Sequence, residues 1–328
     1  MPAFNKNVDV EVARGIRAYL LKIGVARAGD AAGARQAQGL KGQKAWIAGQ
    51  NRKLDQARRL LAKLRASLAG SGVSTEASSI RPENIVWIFG AGRTGSTWLS
   101  NMMGELKGHT VWFEPWVGAL FDPYHLRLED RKGKHFILAP QYRSTWLRSI
   151  RAFVLDGVGA RFPEVSEDRY LVIKEPGGSA GAPLLMEALP ESRMILLVRD
   201  PRDVVASWLD AHKEGGWIDE RKKAKKRARM PVDKRAKKYL QNVGGAKKAF
   251  DSHKGYKVLV RYEELRADTL GTMRRIYSAL EIPVDEGELI RAVEKHSWEN
   301  IPEEKKGEGK FFRKATPGGW REDLTRSR

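Results

Sequence analysis

The chain has 328 residues, 41% of them hydrophobic, and a formal charge of +20 at pH 7. That length suits one large domain with an appendage, and the apolar content can supply a real core. The absence of cysteine excludes a disulfide framework and a thiolate metal site. No apolar run reaches transmembrane length and the N-terminus lacks an apolar signal core, so a cytoplasmic protein is expected.

The charge is concentrated. Residues 1–80 hold 14 basic and 5 acidic side chains, and residues 213–254 hold 15 basic and 5 acidic ones. Two such blocks suit an anionic surface, whether acidic glycan, lipid headgroup or nucleic acid, or equally a solvated helix face.

In chain order, residues 8–23 read as a helix, followed by a longer one over about 31–69. Leu40, Ile47, Leu54, Leu61 and Leu68 recur every seven residues there, a stripe suited to packing on the rest of the protein or on a second copy in a homo-oligomer. Gly39, Gly42 and Gly49 weaken its first half as a coiled coil. A small, polar linker follows, so the boundary falls near 80, with one domain over 81–328. Strands are predicted at 85–90, 110–113, 169–174, 194–198 and 256–261. Helices are predicted at 96–106, 143–157, 201–212, 234–250, 266–280 and 286–296. This alternation predicts an α/β, P-loop-like three-layer fold with a central parallel sheet, plus an N-terminal helical appendage. Residues 213–235 form a basic insertion.

Two segments carry a phosphate-binding pattern. In IVWIFGAGRTGSTWL, an apolar strand runs into Gly90, Gly92 and Gly95, then into a helix at Ser96 and Thr97. A helix N-terminus offers free N–H groups and a positive dipole end to an anion. The spacing of Gly90 and Gly95 mimics a Walker A loop, but Ser96 stands where its lysine would be. Arg93 supplies a forked cation instead. In MILLVRDPRDVVAS, a strand ends at Arg199, Pro201 opens a helix and Ser207 lies within it.

Together these segments resemble the sulfotransferases that use 3′-phosphoadenosine 5′-phosphosulfate (PAPS). The resemblance runs from about Ile85 to Trp320 and implies a nucleotide held at two phosphates. It implies that Arg93, Thr94, Gly95, Ser96 and Thr97 cradle the 5′ end and that Trp98 lies against the adenine. Arg199 and Ser207 would hold the 3′-phosphate. VLVRYEEL matches a family segment through Tyr262, an implied adenine contact. HSWENI makes Ser297 and Trp298 candidate base contacts. FFRKATPGGW resembles the family's closing loop, in which Arg313 and Lys314 would clamp the 3′-phosphate, with Ala315 and Gly319 in place of the usual glycine and aspartate.

The expected chemistry is sulfuryl transfer from PAPS to a hydroxyl on a small molecule, glycan or lipid. Positioning and preorganised charge should supply most of the rate, with no metal required. Glu114, after a short strand, is the expected general base, with Glu175 as its rival; His109, His125 and His135 are weaker candidates. Lys174 is expected to compensate the leaving phosphate, and Arg93 to bind the sulfuryl group or 5′-phosphate. The cytosolic branch's histidine position is Pro176 here, so the pattern looks closer to the Golgi tyrosylprotein and carbohydrate branches. A P-loop kinase and an inactive anion- or nucleic-acid-binding protein are the alternatives.

Overall fold

A computed structural model describes residues 80–121, 139–213, 215–218 and 232–325. The expected helices at 8–23 and 31–69, His125 and His135, and most of the basic insertion lie outside the described residues.

Five strands form one parallel sheet: β1 (Ile85–Gly90), β2 (His109–Phe113), β3 (Tyr170–Lys174), β4 (Arg193–Val198) and β5 (Lys257–Arg261). Their spatial order is β2-β3-β1-β4-β5. Strand β1 is the middle strand, and all six of its residues are buried. That burial explains its unbroken apolar sequence, since a central parallel strand is covered on both faces.

Alternate side chains feed two cores. Trp87, Phe89, Ile173 and Leu196 point to one face, against α2 (Arg143–Arg161), α3 (Ala182–Ala188) and α5 (Val232–Ser252). Val86, Ile88, Val172 and Leu197 point to the other, against α1 (Ser96–Gly104), α7 (Thr269–Ala279) and α8 (Glu286–Lys295). The result is the expected three-layer α/β architecture. Helix α4 (Pro201–Ala211) follows β4, and α6 (Tyr262–Ala267) follows β5.

Several elements differ from expectation. The helix expected over 266–280 is two helices, broken at Asp268, whose carboxylate caps α7 by accepting the Gly271 N–H at 2.9 Å. Helix α3 was masked by breakers: Pro183 sits in its first turn, where its missing N–H costs nothing. Helix α9 (Trp320–Thr325) had no apolar periodicity to announce it.

Strand order reverses beside β1: the chain leaves β1 for β3 and β2 on one side, then crosses to β4 and β5 on the other. The crevice at such a switch point, beyond the carboxyl ends of the strands, is where ligands bind in open α/β sheets. Here those ends lead into the loops bearing Arg93, Glu114, Glu175, Arg199 and Tyr262.

Candidate active site

The loop after β1 is shaped by what will not fit beside it. Gly90 has φ 155°, and a Cβ there would come within 2.2 Å of the Leu197 carbonyl oxygen. Gly95 caps α1 at φ 90°, and a Cβ there would lie 2.6 Å from the Tyr262 ring. The backbone thus passes directly against Tyr262 and presents the start of α1 to the crevice. Gly95, Ser96, Thr97 and Trp98 line a cavity of about 390 Å³. Thr94 is fully buried and donates its hydroxyl hydrogen to the Ala91 carbonyl at 2.8 Å. Its side chain therefore shapes the loop and does not face the cavity.

The second element folds as its sequence suggests. Asp200 caps α4 by accepting the Arg202 N–H at 2.8 Å, with Pro201 at the first helical position. Arg199 lies over the Tyr262 ring at 4.1 Å and donates to the Arg93 carbonyl at 3.2 Å. Its Nε is buried with no hydrogen-bond partner, an unspent donor beside the cavity.

The guanidinium of Arg93, expected at the 5′ end, turns toward Ser207 and the closing loop. Its Nε donates to Ser207 Oγ at 2.9 Å and its Nη2 to the Phe311 carbonyl at 2.8 Å. It also lies against the rings of Phe311 and Trp217. Burial first, then the nearby charge of Arg199, lowers the Arg93 pKa to about 10.

The closing loop completes this group. Arg313 pairs with Asp210 at 3.5 Å and with Asp323 of α9 at 2.5 Å, while Lys314 pairs with Asp323 at 3.0 Å and Glu322 at 3.2 Å. Asp203 and Asp210, two turns apart on α4, hold the loop down. Asp203 accepts the N–H groups of Gly318 at 2.8 Å and Trp320 at 2.9 Å, and Asp210 accepts that of Gly309 at 2.8 Å. Ala315, at the expected glycine position, keeps a left-handed φ of 52°. The loop thus retains the backbone shape that glycine would favour, at some strain.

Glu114 lines the same cavity, paired with Lys174. Lys174 Nζ is 2.6 Å from Glu114 Oε1 and 3.3 Å from Thr97 Oγ1. The lysine side chain is 6% exposed and the glutamate 40%, so the acid faces open space and the cation sits behind it. Glu175 is placed differently. It is fully buried and is not among the residues lining the cavity. Burial pushes its pKa up to about 7; the neighbouring Trp116, Val117 and Gly178 N–H groups oppose the shift, and the charge of Glu114 adds to it. His109 is buried in the core, with Nε2 3.3 Å from the Tyr277 hydroxyl, which removes it from the site.

The wall expected to meet the base is formed in part. Trp98 and Tyr262 meet edge to face at 6.3 Å, and Trp98 Nε1 donates to the His296 carbonyl at 2.7 Å. Trp298 lines the cavity; Ser297 does not, and instead accepts the Asn300 N–H at 3.4 Å.

The sequence reading missed Asp203, Asp210 and Asp323, and did not single out Trp217, Lys238 or Asn242 as cavity lining. For the α4 aspartates a signal existed: Asp203, Ser207 and Asp210 share one helical face. Of the five non-glycine residues with positive φ among the described residues, four line this cavity: Arg93, Glu114, Trp116 and Ala315. Strained backbone gathers where a site must be held in shape.

Known proteins resemble this chain in structure and in sequence profile. Among solved structures, the sulfotransferase STF9 from Mycobacterium avium is 16% identical, covering 76% of this chain and 77% of that one, with a TM-score of 0.47. Mouse sulfotransferase SULT7A1, solved with adenosine 3′,5′-bisphosphate (PAP), is 13% identical over 77% of this chain and 85% of that one, with a TM-score of 0.46. No curated protein sequence matches the chain. The sequence profile of the sulfotransferase family matches residues 86–286, which span the glycine-rich loop after β1, the Glu114–Lys174 pair and the Arg199 element. The chain belongs to the sulfotransferase family.

Proposed function

We propose that this protein transfers the sulfuryl group of PAPS to the hydroxyl of a small-molecule, glycan or lipid acceptor, forming PAP and a sulfate ester. The observation that carries the reading is that one cavity is lined both by a group of cations and by a carboxylate. Arg93, Arg199, Ser207, Arg313 and Lys314 line it together with Glu114, whose carboxylate is paired with Lys174 behind it.

The residues fit such a donor. The buried Nε of Arg199 has no hydrogen-bond partner and is available to an anionic oxygen. Trp98, Tyr262 and Trp298 offer ring surface to an adenine. A bound donor supplies an activated sulfuryl group on a phosphate leaving group.

The chain's own parts then divide the work. The free N–H groups at the start of α1 hold anionic oxygen. Glu114, the more exposed member of its pair, accepts the acceptor's hydroxyl proton. Lys174 stands between Glu114 and Thr97, within reach of charge developing beside the loop. Arg93 joins the 3′-phosphate group by its contact with Ser207, and its backbone stays in the 5′ loop. An acid base after β2, with Pro176 at the histidine position of the cytosolic branch, supports a likeness to the Golgi branches. A cytoplasmic location is part of this proposal, to be tested by cell fractionation.

The test is calorimetry with PAP, AMP and ATP, followed by labelled PAPS against phenolic, glycan and lipid acceptors. PAP should bind at least about tenfold more tightly than AMP, and Arg199→Ala should remove most of that preference. Equal affinities for PAP and AMP would defeat the assignment, and preferential ATP binding with phosphoryl transfer would favour a kinase.

A further inference from the structure

The clamp cations are already in use. Arg313 and Lys314 both contact the carboxylate of Asp323, at 2.5 and 3.0 Å, and this acid lines the same cavity as Arg93, Arg199 and Ser207. The Arg313–Asp323 pair is well shielded, with side-chain exposures of 14% and 16%. One buried aspartate, Asp210, also faces Arg313, and the largely exposed Glu322 also meets Lys314 at 3.2 Å. A phosphate that recruits Arg313 and Lys314 must therefore compete with a carboxylate already seated among them.

We propose that Asp323 is a specificity-determining residue of the donor site, an internal anion that stands in for the 3′-phosphate and yields the two clamp cations only to a ligand bearing a second phosphate. This rests on the assignment of Arg313 and Lys314 to the 3′-phosphate made above. Asp203 supplies the pivot. It holds Gly318 and Trp320 through their backbone N–H groups, so α9 stays anchored at its start when Asp323 lets go. A nucleotide without a 3′-phosphate leaves the internal pair intact and gains nothing from the loop. A ligand with it exchanges one anion for another and then holds the closing loop over the cavity.

The exchange has a measurable direction. An internal competitor lowers apparent affinity by the fraction of molecules in which the cations are free. Removing its charge should therefore tighten PAP binding, whereas losing a residue that supports the loop would weaken it. Asp323→Asn keeps the side chain's size and removes the charge. Calorimetry on the full chain should show PAP binding about fivefold tighter in this variant, with AMP affinity within twofold of wild type. Asp323→Ala should change PAP affinity in the same direction. Asp251→Asn, an equal charge change at an exposed pair on α5, should leave both affinities alone. If wild type prefers PAP over AMP but Asp323→Asn binds PAP no more tightly, or more weakly, this inference is wrong while the donor assignment stands. If wild type binds PAP and AMP alike, both are wrong. If Asp251→Asn tightens PAP binding as much, the effect is general charge and the role of Asp323 is lost.

Discussion

Lys174 Nζ lies 2.6 Å from Glu114 Oε1, although the two residues are 60 apart in sequence. Strand register brings them together. Phe113 of β2 pairs with Lys174 of β3, and the Glu114 N–H donates to the Lys174 carbonyl at 2.8 Å. The strand ends thus place an acid and a cation side by side at the crevice.

Replacing Glu114 with glutamine keeps its shape and removes proton acceptance. Transfer to the true acceptor should fall by about 10²-fold or more, while PAP affinity changes little. Lys174→Met should also slow transfer, through poorer stabilisation of the leaving phosphate. Near-normal turnover in Glu114→Gln would remove it as the base.

Glu175 makes a prediction about stability. Its folded pKa, about 7, lies above the ordinary 4.5, so the folded protein holds a proton that the unfolded chain has lost between those values. Its contribution is intact below pH 4.5 and is lost as pH rises through about 7, amounting to roughly 3 kcal/mol. Glu175→Gln should therefore match wild type near pH 4.5 and melt about 5 °C higher at pH 8. Parallel melting curves across that range would show that this carboxyl is not strained by burial. Because the group is sealed from the cavity, PAP affinity should be unaffected.

Gly95→Ala tests the close approach of loop and ring. The new Cβ would meet Tyr262 at 2.6 Å, and the φ of 90° is unfavourable for any side chain. Left-handed backbone alone costs roughly 1–2 kcal/mol. PAP affinity should drop at least about tenfold as Tyr262 or the loop moves; a variant that binds PAP normally would mean that the loop can relax without consequence.

Ala315→Gly tests strain in the closing loop. Glycine accepts the 52° φ without penalty, offset in part by its greater freedom in the unfolded chain. A gain of about 0.5 kcal/mol is expected, read as a higher denaturant midpoint with unchanged slope. A loss would show that the alanine methyl contributes packing.

Local signals carried much of this protein. The apolar runs of β1 and β4, the glycines of the phosphate loop and Pro201 at the start of α4 are legible because each depends on near neighbours in sequence: burial period, permitted φ and a dispensable N–H. The Arg93, Glu114, Lys174 and Arg199 positions followed from the same strand ends. Other features depended on partners far along the chain. The enclosure of Glu175 depends on the turns after β2 and β3, although it is adjacent to Lys174 in sequence. Alternation across a strand sends those neighbours to different surroundings. The turning of Arg93 toward Ser207 was decided by contacts 114 and 218 residues away. The occupation of Arg313 and Lys314 by Asp323 was likewise set by where α4 and α9 meet. Charges interact through space, and only the folded chain determines which space they share.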